Sequence, residues 1–193
     1  MKIFICLIIG YLLGSILPAV IISWIKTGRD ISQIGSGNPG MANVMSGIGK
    51  LEGVLTLAGD ILKVLLAFFF AWVVTGGRDL QTVILWTGFG SILGHDFPAW
   101  RRFRGGKGVT VTCVWLVSLM PLWGSVSCAA GGAVTLLTGY LPVGGILIPV
   151  LAIPFAFLFC DIWAGVLVTV SAAIMVQRHW QGIMRIRDGL EKK

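Results

Sequence analysis

The sequence predicts an all-α polytopic membrane protein, and its composition carries that prediction. Of the 193 residues, 56% are hydrophobic and 12% are charged, and the mean hydropathy is +0.90. A soluble domain has about 25% charged residues, so this chain has too little polar surface to coat a soluble globule. The composition therefore excludes a soluble enzyme, a disordered protein and a nucleic-acid-binding domain, and it makes membrane lipid the expected surroundings.

The spacing of apolar runs predicts about seven transmembrane helices, since a span needs about 20 apolar residues. The seven segments are Ile3–Trp24, Leu51–Thr75, Leu80–Gly94, Val109–Met120, Leu122–Tyr140, Ile146–Phe159 and Ile162–Gln177. Several of the later segments are short or interrupted, so five spans is the main alternative. Seven spans would leave room only for short loops, which predicts a single transmembrane domain over residues 1–193.

The basic residues predict the orientation of the chain. With the N-terminus outside, twelve of them face the cytoplasm: Lys26, Arg29, Lys50, Arg101, Arg102, Arg104, Lys107, Arg178, Arg185, Arg187, Lys192 and Lys193. Only Lys2 and Arg78 then lie outside. Because positive charge concentrates on the cytoplasmic side, we expect a multi-pass protein of the cell inner membrane with a cytoplasmic C-terminus.

Two features inside the predicted spans have specific explanations. Gly10 and Gly14 form a Gly-x-x-x-Gly pair that permits close helix contact. Asp60 and Lys63 lie three residues apart on one helical face, where ionisable groups are expensive. A structural ion pair that fixes the helix explains them, and a proton or ion path remains an alternative.

The first cytoplasmic loop contains Gly35-Ser36-Gly37-Asn38-Pro39-Gly40-Met41-Ala42-Asn43. Its glycines and proline predict a tight loop, in which small side chains let a ligand approach backbone N–H groups. Ser36, Asn38 and Asn43 add hydrogen-bonding side chains. A cradle for a phosphate or polar head group and an ordinary turn both fit this pattern.

The second cytoplasmic loop contains Gly105-Gly106-Lys107-Gly108 directly before an apolar helix. Glycine N–H groups, the helix dipole and the charge of Lys107 together suit an anion. The spacing differs from that of a Walker A loop. Topology alone is the favoured explanation for Arg101 and Arg102.

The polar tail contains Arg178-His179 and Arg185. His179 could be a general base, a phosphate donor or a helix C-cap, and a cap or solvated position is favoured for the residue taken alone. His95 and His179, the two histidines, are expected at cytoplasmic helix ends. The sequence has no nucleophile elbow and no metal-binding cluster, so we expect neither a metal nor another cofactor.

Taken together, these loops resemble the bacterial membrane acyl-phosphate:glycerol-3-phosphate acyltransferase family, PlsY. The match runs over nearly the whole chain. It rests on seven of nine positions of Gly35–Asn43, on Asp60 with Lys63, on Gly94–Pro98 with Phe103–Val109, and on part of Arg178–Glu191.

The resemblance implies transfer of a fatty acyl group from acyl-phosphate to the sn-1 hydroxyl of glycerol-3-phosphate, giving lysophosphatidic acid for phospholipid biosynthesis. It implies no metal and no acyl-enzyme. It also implies Ser36, Lys107 and His179 as catalytic residues. The implied substrate-binding residues are Gly37, Asn38, Gly40, Asn43, Gly105, Gly106, Gly108, Arg185 and Glu191.

The chain has Ala42, Ser46 and Gly182 where the family has Thr, Arg and Asn. Losing a charge-assisted contact to a phosphate costs about 1.5–3 kcal/mol. The first alternative is therefore a paralogue of altered specificity or without catalysis, which binds or transports a phosphorylated lipid or polyol. A second alternative is a structural or regulatory partner of a lipid-synthesis enzyme.

Overall fold

A computed structural model describes residues 1–190, so the predicted site residue Glu191 lies outside the described residues. The described chain is all-helical apart from its loops and turns. Its nine α-helices are α1 (Lys2–Gly14), α2 (Pro18–Thr27), α3 (Met41–Gly47), α4 (Lys50–Val74), α5 (Leu80–Asp96), α6 (Val109–Leu119), α7 (Pro121–Thr138), α8 (Leu141–Phe159) and α9 (Ile162–Arg187). The all-α prediction is confirmed.

Four segments of the described chain are long and apolar enough to cross a membrane. They are Lys2–Thr27, Lys50–Val74, Leu141–Phe159 and Ile162–Arg187. Helix α6 is a shorter apolar helix of 11 residues. The chain divides into two compact units, Met1–Val111 and the part that begins at Thr112.

Paired glycines bring α1 and α5 together in the first unit. A Cβ on Gly10 or Gly14 would overlap the backbone of Thr87 or Ser91 on α5. In the other direction, Gly90 and Gly94 leave no room for a Cβ beside the backbone of α1. The close contact predicted from Gly10 and Gly14 is confirmed, and each helix contributes one Gly-x-x-x-Gly pair.

The first predicted segment, Ile3–Trp24, is wrong as a single helix. The chain breaks at residues 15–17, and α2 restarts with Pro18 in its first turn. Proline has no N–H and clashes with the preceding turn, so it ends one helix and begins the next. The break leaves backbone carbonyls without a helical partner, and two side chains donate hydrogen bonds to them. Trp100 Nε1 donates to Ser15 O at 2.9 Å, and Lys63 Nζ donates to Ile16 O at 2.8 Å.

Both polar loops contain more structure than their polarity predicts. The first loop has a 3-10 turn at Ile31–Gln33, capped by the Asp30 carboxylate, and then α3. The second loop has a 3-10 turn at Ala99–Arg101. It ends at α6, directly after the glycine-rich segment.

In the second unit, small residues and stacked rings pack α7, α8 and α9. Gly131 on α7 and Gly144 on α8 face each other so closely that a Cβ on either would overlap the other helix. Trp123 on α7 stacks on Phe155 of α8, with ring centroids 4.3 Å apart. Helix α9 runs ten residues beyond the predicted segment end, from Gln177 to Arg187, and includes most of the polar tail.

Candidate active site

Asn43 shapes the first loop, residues 35–43, from its buried position on α3. Its Oδ1 accepts from the Ser36 N–H at 2.8 Å. Its Nδ2 donates to Ile34 O at 2.9 Å and to Asn38 O at 3.0 Å. Gly35, with φ +54°, leaves no room for a Cβ beside the Asn43 amide. Asn43 is therefore a scaffold for this loop, because its amide is committed to three backbone partners.

The backbone N–H groups of this loop are largely used within the loop. Gly37 N donates to Ile34 O and Gly40 N donates to Asn38 O, both at 2.9 Å. The expected cradle of backbone N–H groups is therefore not the main feature that the first loop offers to a ligand. What it presents is the exposed hydroxyl of Ser36 and the half-buried amide of Asn38.

The second glycine-rich loop, residues 105–108, packs over the end of α5. Gly105 N donates to Asp96 O at 3.1 Å, and Gly106 N donates to His95 O at 2.9 Å. A Cβ on Gly106 would overlap Nε2 of His95, and one on Gly108 would lie 2.8 Å from the Asp96 carboxylate. These glycines serve close packing, so Lys107, which is half-buried, is the feature of this loop that can attract an anion.

A bidentate ion pair joins the two loops within the first unit. Arg101 Nη1 and Nη2 donate to the two carboxylate oxygens of Asp30 at 2.8 and 2.9 Å. The hydrogen bond from Arg101 holds the pKa of Asp30 well below its usual range, and the same contact raises the pKa of Arg101. The topological explanation for Arg101 is incomplete, since this side chain fixes the 3-10 turn of one loop to that of the other.

A buried network lies beneath the second loop. Lys63 Nζ, 4% exposed, contacts Asp60 Oδ1, His95 Nδ1 and Ile16 O, each at 2.8 Å. The predicted structural pair of Asp60 and Lys63 is present in this geometry. No spacing pattern in the sequence indicates that His95 joins this pair, because His95 lies 32 residues beyond Lys63.

His179 and Arg185 lie on α9, in the second unit. His179 is fully buried, and its Nδ1 lies 3.0 Å from Met175 O, one turn earlier. The prediction of a helix cap or solvated position for His179 is wrong, because α9 continues to Arg187 and its interior face holds the ring. His95, by contrast, does lie at the end of α5. Arg185 is exposed, and Gly182 is buried.

The substituted family positions differ in their surroundings. Ala42 and Ser46 are exposed, one turn apart on α3. Ser46 Oγ donates to Asn43 O at 3.2 Å, so the surface where the resemblance places arginine carries a short, locally satisfied side chain.

Within residues 1–190, no group of three or more His, Cys, Asp or Glu side chains is arranged to hold a metal ion.

Fold and loops together define a helical membrane protein whose polar loops present Ser36, Asn38 and Lys107. A family model described as glycerol-3-phosphate acyltransferase matches residues 4–189. Helices of this length and apolarity are typical of an integral membrane protein.

Relatives of known sequence agree with that match. Glycerol-3-phosphate acyltransferase 1 of Lactobacillus acidophilus is 35% identical, covering 96% of this chain and 89% of the relative. The glycerol-3-phosphate acyltransferase of Geotalea daltonii is 37% identical over 97% and 95%. Glycerol-3-phosphate acyltransferase 1 of Lactobacillus johnsonii is 46% identical over 114 residues, and that match spans 59% of this chain and about half of the relative, 54%.

Solved structures agree as well. The glycerol 3-phosphate form of PlsY, described as an integral membrane glycerol 3-phosphate acyltransferase, superposes with a TM-score of 0.87 at 30% identity. It covers 100% of this chain and 96% of that one. The lysophosphatidic acid form superposes with a TM-score of 0.84. This chain belongs to the glycerol-3-phosphate acyltransferase family, as its loop motifs indicate.

Proposed function

We propose that this protein transfers a fatty acyl group from acyl-phosphate to the sn-1 hydroxyl of glycerol-3-phosphate. The products are lysophosphatidic acid and inorganic phosphate, and the reaction belongs to phospholipid biosynthesis. The observation that carries the proposal is the near full-length family match, residues 4–189, on a chain whose two polar loops are fixed to each other by Asp30 and Arg101.

In this reaction the sn-1 hydroxyl oxygen attacks the carbonyl carbon of the mixed anhydride. A new ester C–O bond forms, and the bond between that carbon and the phosphate oxygen breaks. Phosphate leaves with the electron pair, and the hydroxyl proton passes to a base. The anhydride is already activated, so positioning and charge stabilisation can supply much of the catalysis.

Lys107 and Ser36 are the donors that this proposal assigns to the substrates. The ammonium of Lys107 stabilises charge on the phosphate group, where negative charge grows as the anhydride bond breaks. Ser36 donates its exposed hydroxyl to a phosphate or carbonyl oxygen. Asn38 adds its amide beside Ser36, while Gly37, Gly40 and Asn43 hold the loop that presents both residues.

His179 is the base in the proposed mechanism. A backbone carbonyl only accepts hydrogen bonds, so the contact with Met175 O requires a proton on His179 Nδ1. In the neutral ring the lone pair then lies on Nε2, the nitrogen that takes the hydroxyl proton. Arg185 and Glu191 are assigned to substrate binding by the family resemblance.

The proposal places the protein in the cell inner membrane as one transmembrane domain with seven crossings. The N-terminus lies outside, and the C-terminus and both loops of the site face the cytoplasm. The 12-to-2 distribution of basic residues across the predicted faces supports this orientation. Both substrates carry phosphate, and one carries a lipid tail, which suits basic loops at a membrane surface.

Binding or transport of a phosphorylated lipid or polyol without catalysis is the second candidate. This candidate is favoured because Ala42, Ser46 and Gly182 replace the Thr, Arg and Asn of the family. The alternative ion path through Asp60 and Lys63 has less support, because three close partners occupy the Lys63 ammonium. A purely structural or regulatory role would show as co-purification with a partner and no small-molecule binding.

The test is phosphate release by the purified protein in lipid, with palmitoyl-phosphate and glycerol-3-phosphate. We expect release that depends on glycerol-3-phosphate and falls about ten- to a hundredfold in Lys107→Ala, as expected when a charge-assisted phosphate contact is lost. Ser36→Ala should likewise lose transfer. Lys26→Ala is the matched control, because Lys26 pairs with Glu52 at 3.0 Å and neither residue belongs to the glycine-rich segments 35–43 and 105–108.

Full activity in folded Lys107→Ala and Ser36→Ala would overturn the site assignment. If the folded parent protein releases no phosphate but still binds phosphorylated ligands, binding without catalysis becomes the favoured function. Thermal unfolding in detergent, compared across the variants, establishes that each one is folded.

A further inference from the structure

We propose that Lys63, held by Asp60, is a positioning residue for the loop that carries Lys107. In this inference Lys63 sets the tautomer of His95, and the His95 ring supports Gly106 from below. The inference rests on the proposed function for its kinetic consequence, while its structural part can be tested without any activity.

The Lys63 ammonium has as many protons as partners. Its Nζ lies 2.8 Å from Asp60 Oδ1, from Ile16 O and from His95 Nδ1. An ammonium has three donors and no acceptor, so Lys63 donates the hydrogen bonds to Ile16 O and His95 Nδ1, and its contact with Asp60 is an ion pair. His95 Nδ1 lies 3.6 Å from Asp60 Oδ1, too far for a hydrogen bond. Lys63 is therefore the partner of this ring nitrogen.

The direction of this bond fixes the His95 tautomer. Nδ1 accepts from Lys63 and carries no proton, so in the neutral ring the proton lies on Nε2. His179 has the opposite arrangement, because its Nδ1 donates to Met175 O. In their neutral forms the two histidines thus have opposite tautomers, each set by a buried partner.

The ring of His95 connects this network to the glycine-rich loop. Its Nε2 occupies the space that a Cβ of Gly106 would need. The backbone on both sides is fixed by the bonds from Gly105 N to Asp96 O and from Gly106 N to His95 O. If the His95 ring rotated or changed its protonation, its Nε2 edge would press against Gly106. Because Lys107 is the next residue, this would displace Lys107 as well.

Stability alone is a weak reason to keep this network. A buried ion pair contributes little net stability compared with apolar side chains of the same size, whereas it can specify one arrangement. Here the arrangement specified is the break between α1 and α2, the end of α5 and the loop above it. Those are the elements that meet at Lys63.

Nitrogen NMR of histidine-labelled protein tests the tautomer directly, because the chain has two histidines. The His179→Gln variant assigns the remaining signals to His95. We expect protonated Nε2 and unprotonated Nδ1 in the parent, and a mixture of tautomers in Lys63→Met. Lys26→Met, the same change at the Glu52 pair, should leave the His95 signals unchanged.

The kinetic readout separates positioning from folding. In Lys63→Met we expect the KM of at least one phosphate-bearing substrate to rise about tenfold, as expected for a small displacement of a binding group. Lys26→Met should stay within about twofold of the parent. Partial unfolding would lower only the maximal rate, in proportion to the folded fraction, and leave KM unchanged.

A parent His95 protonated at Nδ1, or His95 signals that do not respond to Lys63→Met, would overturn the inference. A KM equal to that of the parent would overturn its link to the loop. If the parent shows no acyl transfer, titration with inorganic phosphate replaces the kinetics. If phosphate shifts the His95 signals and Lys63→Met weakens that shift, the inference is supported even though the proposed reaction has failed. If phosphate does not shift the His95 signals, the link between Lys63 and the loop is overturned.

Discussion

Glycine at position 106 is explained by one imidazole ring. The side chain of His95 fills the volume next to the Gly106 Cα, and the backbone carbonyl of His95 accepts the Gly106 N–H. Gly108 has φ +71°, a conformation that side chains other than glycine rarely adopt. The glycine-rich pattern therefore records how tightly the loop packs on α5, in addition to any ligand it approaches.

Gly106→Ala should reduce acyl transfer by about five- to a hundredfold, because overpacking a tight contact costs about 1–3 kcal/mol. The matched control is Gly132→Ala on α7, where a Cβ would meet no atom within 4 Å. We expect that variant to keep its activity and its unfolding temperature. Phosphate-release assays and thermal unfolding in detergent measure both effects, and equal activity in the two variants would contradict the packing explanation.

At the scale of elements, two short turns are fixed to each other by one ion pair. Asp30 caps the turn Ile31–Gln33, and Arg101 ends the turn Ala99–Arg101. Their bidentate contact has better geometry than an ordinary surface pair, since two parallel hydrogen bonds fix the planes of both groups. This pair therefore determines how the loop with Ser36 lies relative to the loop with Lys107.

The depressed pKa of Asp30 makes this contact sensitive to acid. Its folded pKa lies below the ordinary value of 3.8, so its contribution is complete above that value and declines as the pH falls below it. We expect Asp30→Asn to lower the unfolding temperature at pH 6, and the difference from the parent to narrow towards pH 3. Arg101→Met should behave in the same way, and a difference that is constant with pH would contradict the assignment.

Much of the fold could be predicted from the sequence because its signals are local. Apolar runs mark the helices, and the Gly10 and Gly14 pair marks a close contact. The break before Pro18 was missed, since the run from Ile3 to Trp24 stays apolar across it. Its stabilisation comes from Lys63 and Trp100, whose positions along the chain give no sign of that contact.

For the candidate site, the sequence motifs indicate which residues to consider, but they do not show which contacts each residue makes. The motifs identify Ser36, Asn43 and Lys107. They do not show that the Asn43 amide forms its hydrogen bonds with the loop backbone. Asp30 was not predicted to have a role, although aspartate is a common capping residue. Its carboxylate accepts the N–H of Ser32, two residues further on. His95 was noted only as a helix end, because a partner 32 residues away leaves no spacing pattern.

At the scale of the whole molecule, arrangements with seven and with five crossings place the basic residues on the same faces of the membrane. In both predicted arrangements, with seven or with five crossings, α5 is one crossing, so the turn at Arg78 and the loop that contains Arg104 lie on opposite sides of the membrane. Helix α6 has 11 residues, which span about 16 Å of a hydrocarbon core about 30 Å thick. Seven crossings thus require the glycine-rich segment before α6 to lie at membrane depth. Five crossings would let α6 and α7 enter and leave on the cytoplasmic side.

Cysteine labelling separates these two arrangements. We expect Arg78→Cys and Leu122→Cys, in a chain whose Cys6, Cys113, Cys128 and Cys160 are replaced by alanine, to react with a membrane-impermeant maleimide in intact cells. Arg104→Cys should react only after permeabilisation, because the proposed orientation puts its loop in the cytoplasm. The decisive site is Leu122, at the start of α7 and 66% exposed. Seven crossings place it outside, whereas protection of Leu122→Cys beside a labelled Arg78→Cys would establish five crossings and put the turn between α6 and α7 in the cytoplasm.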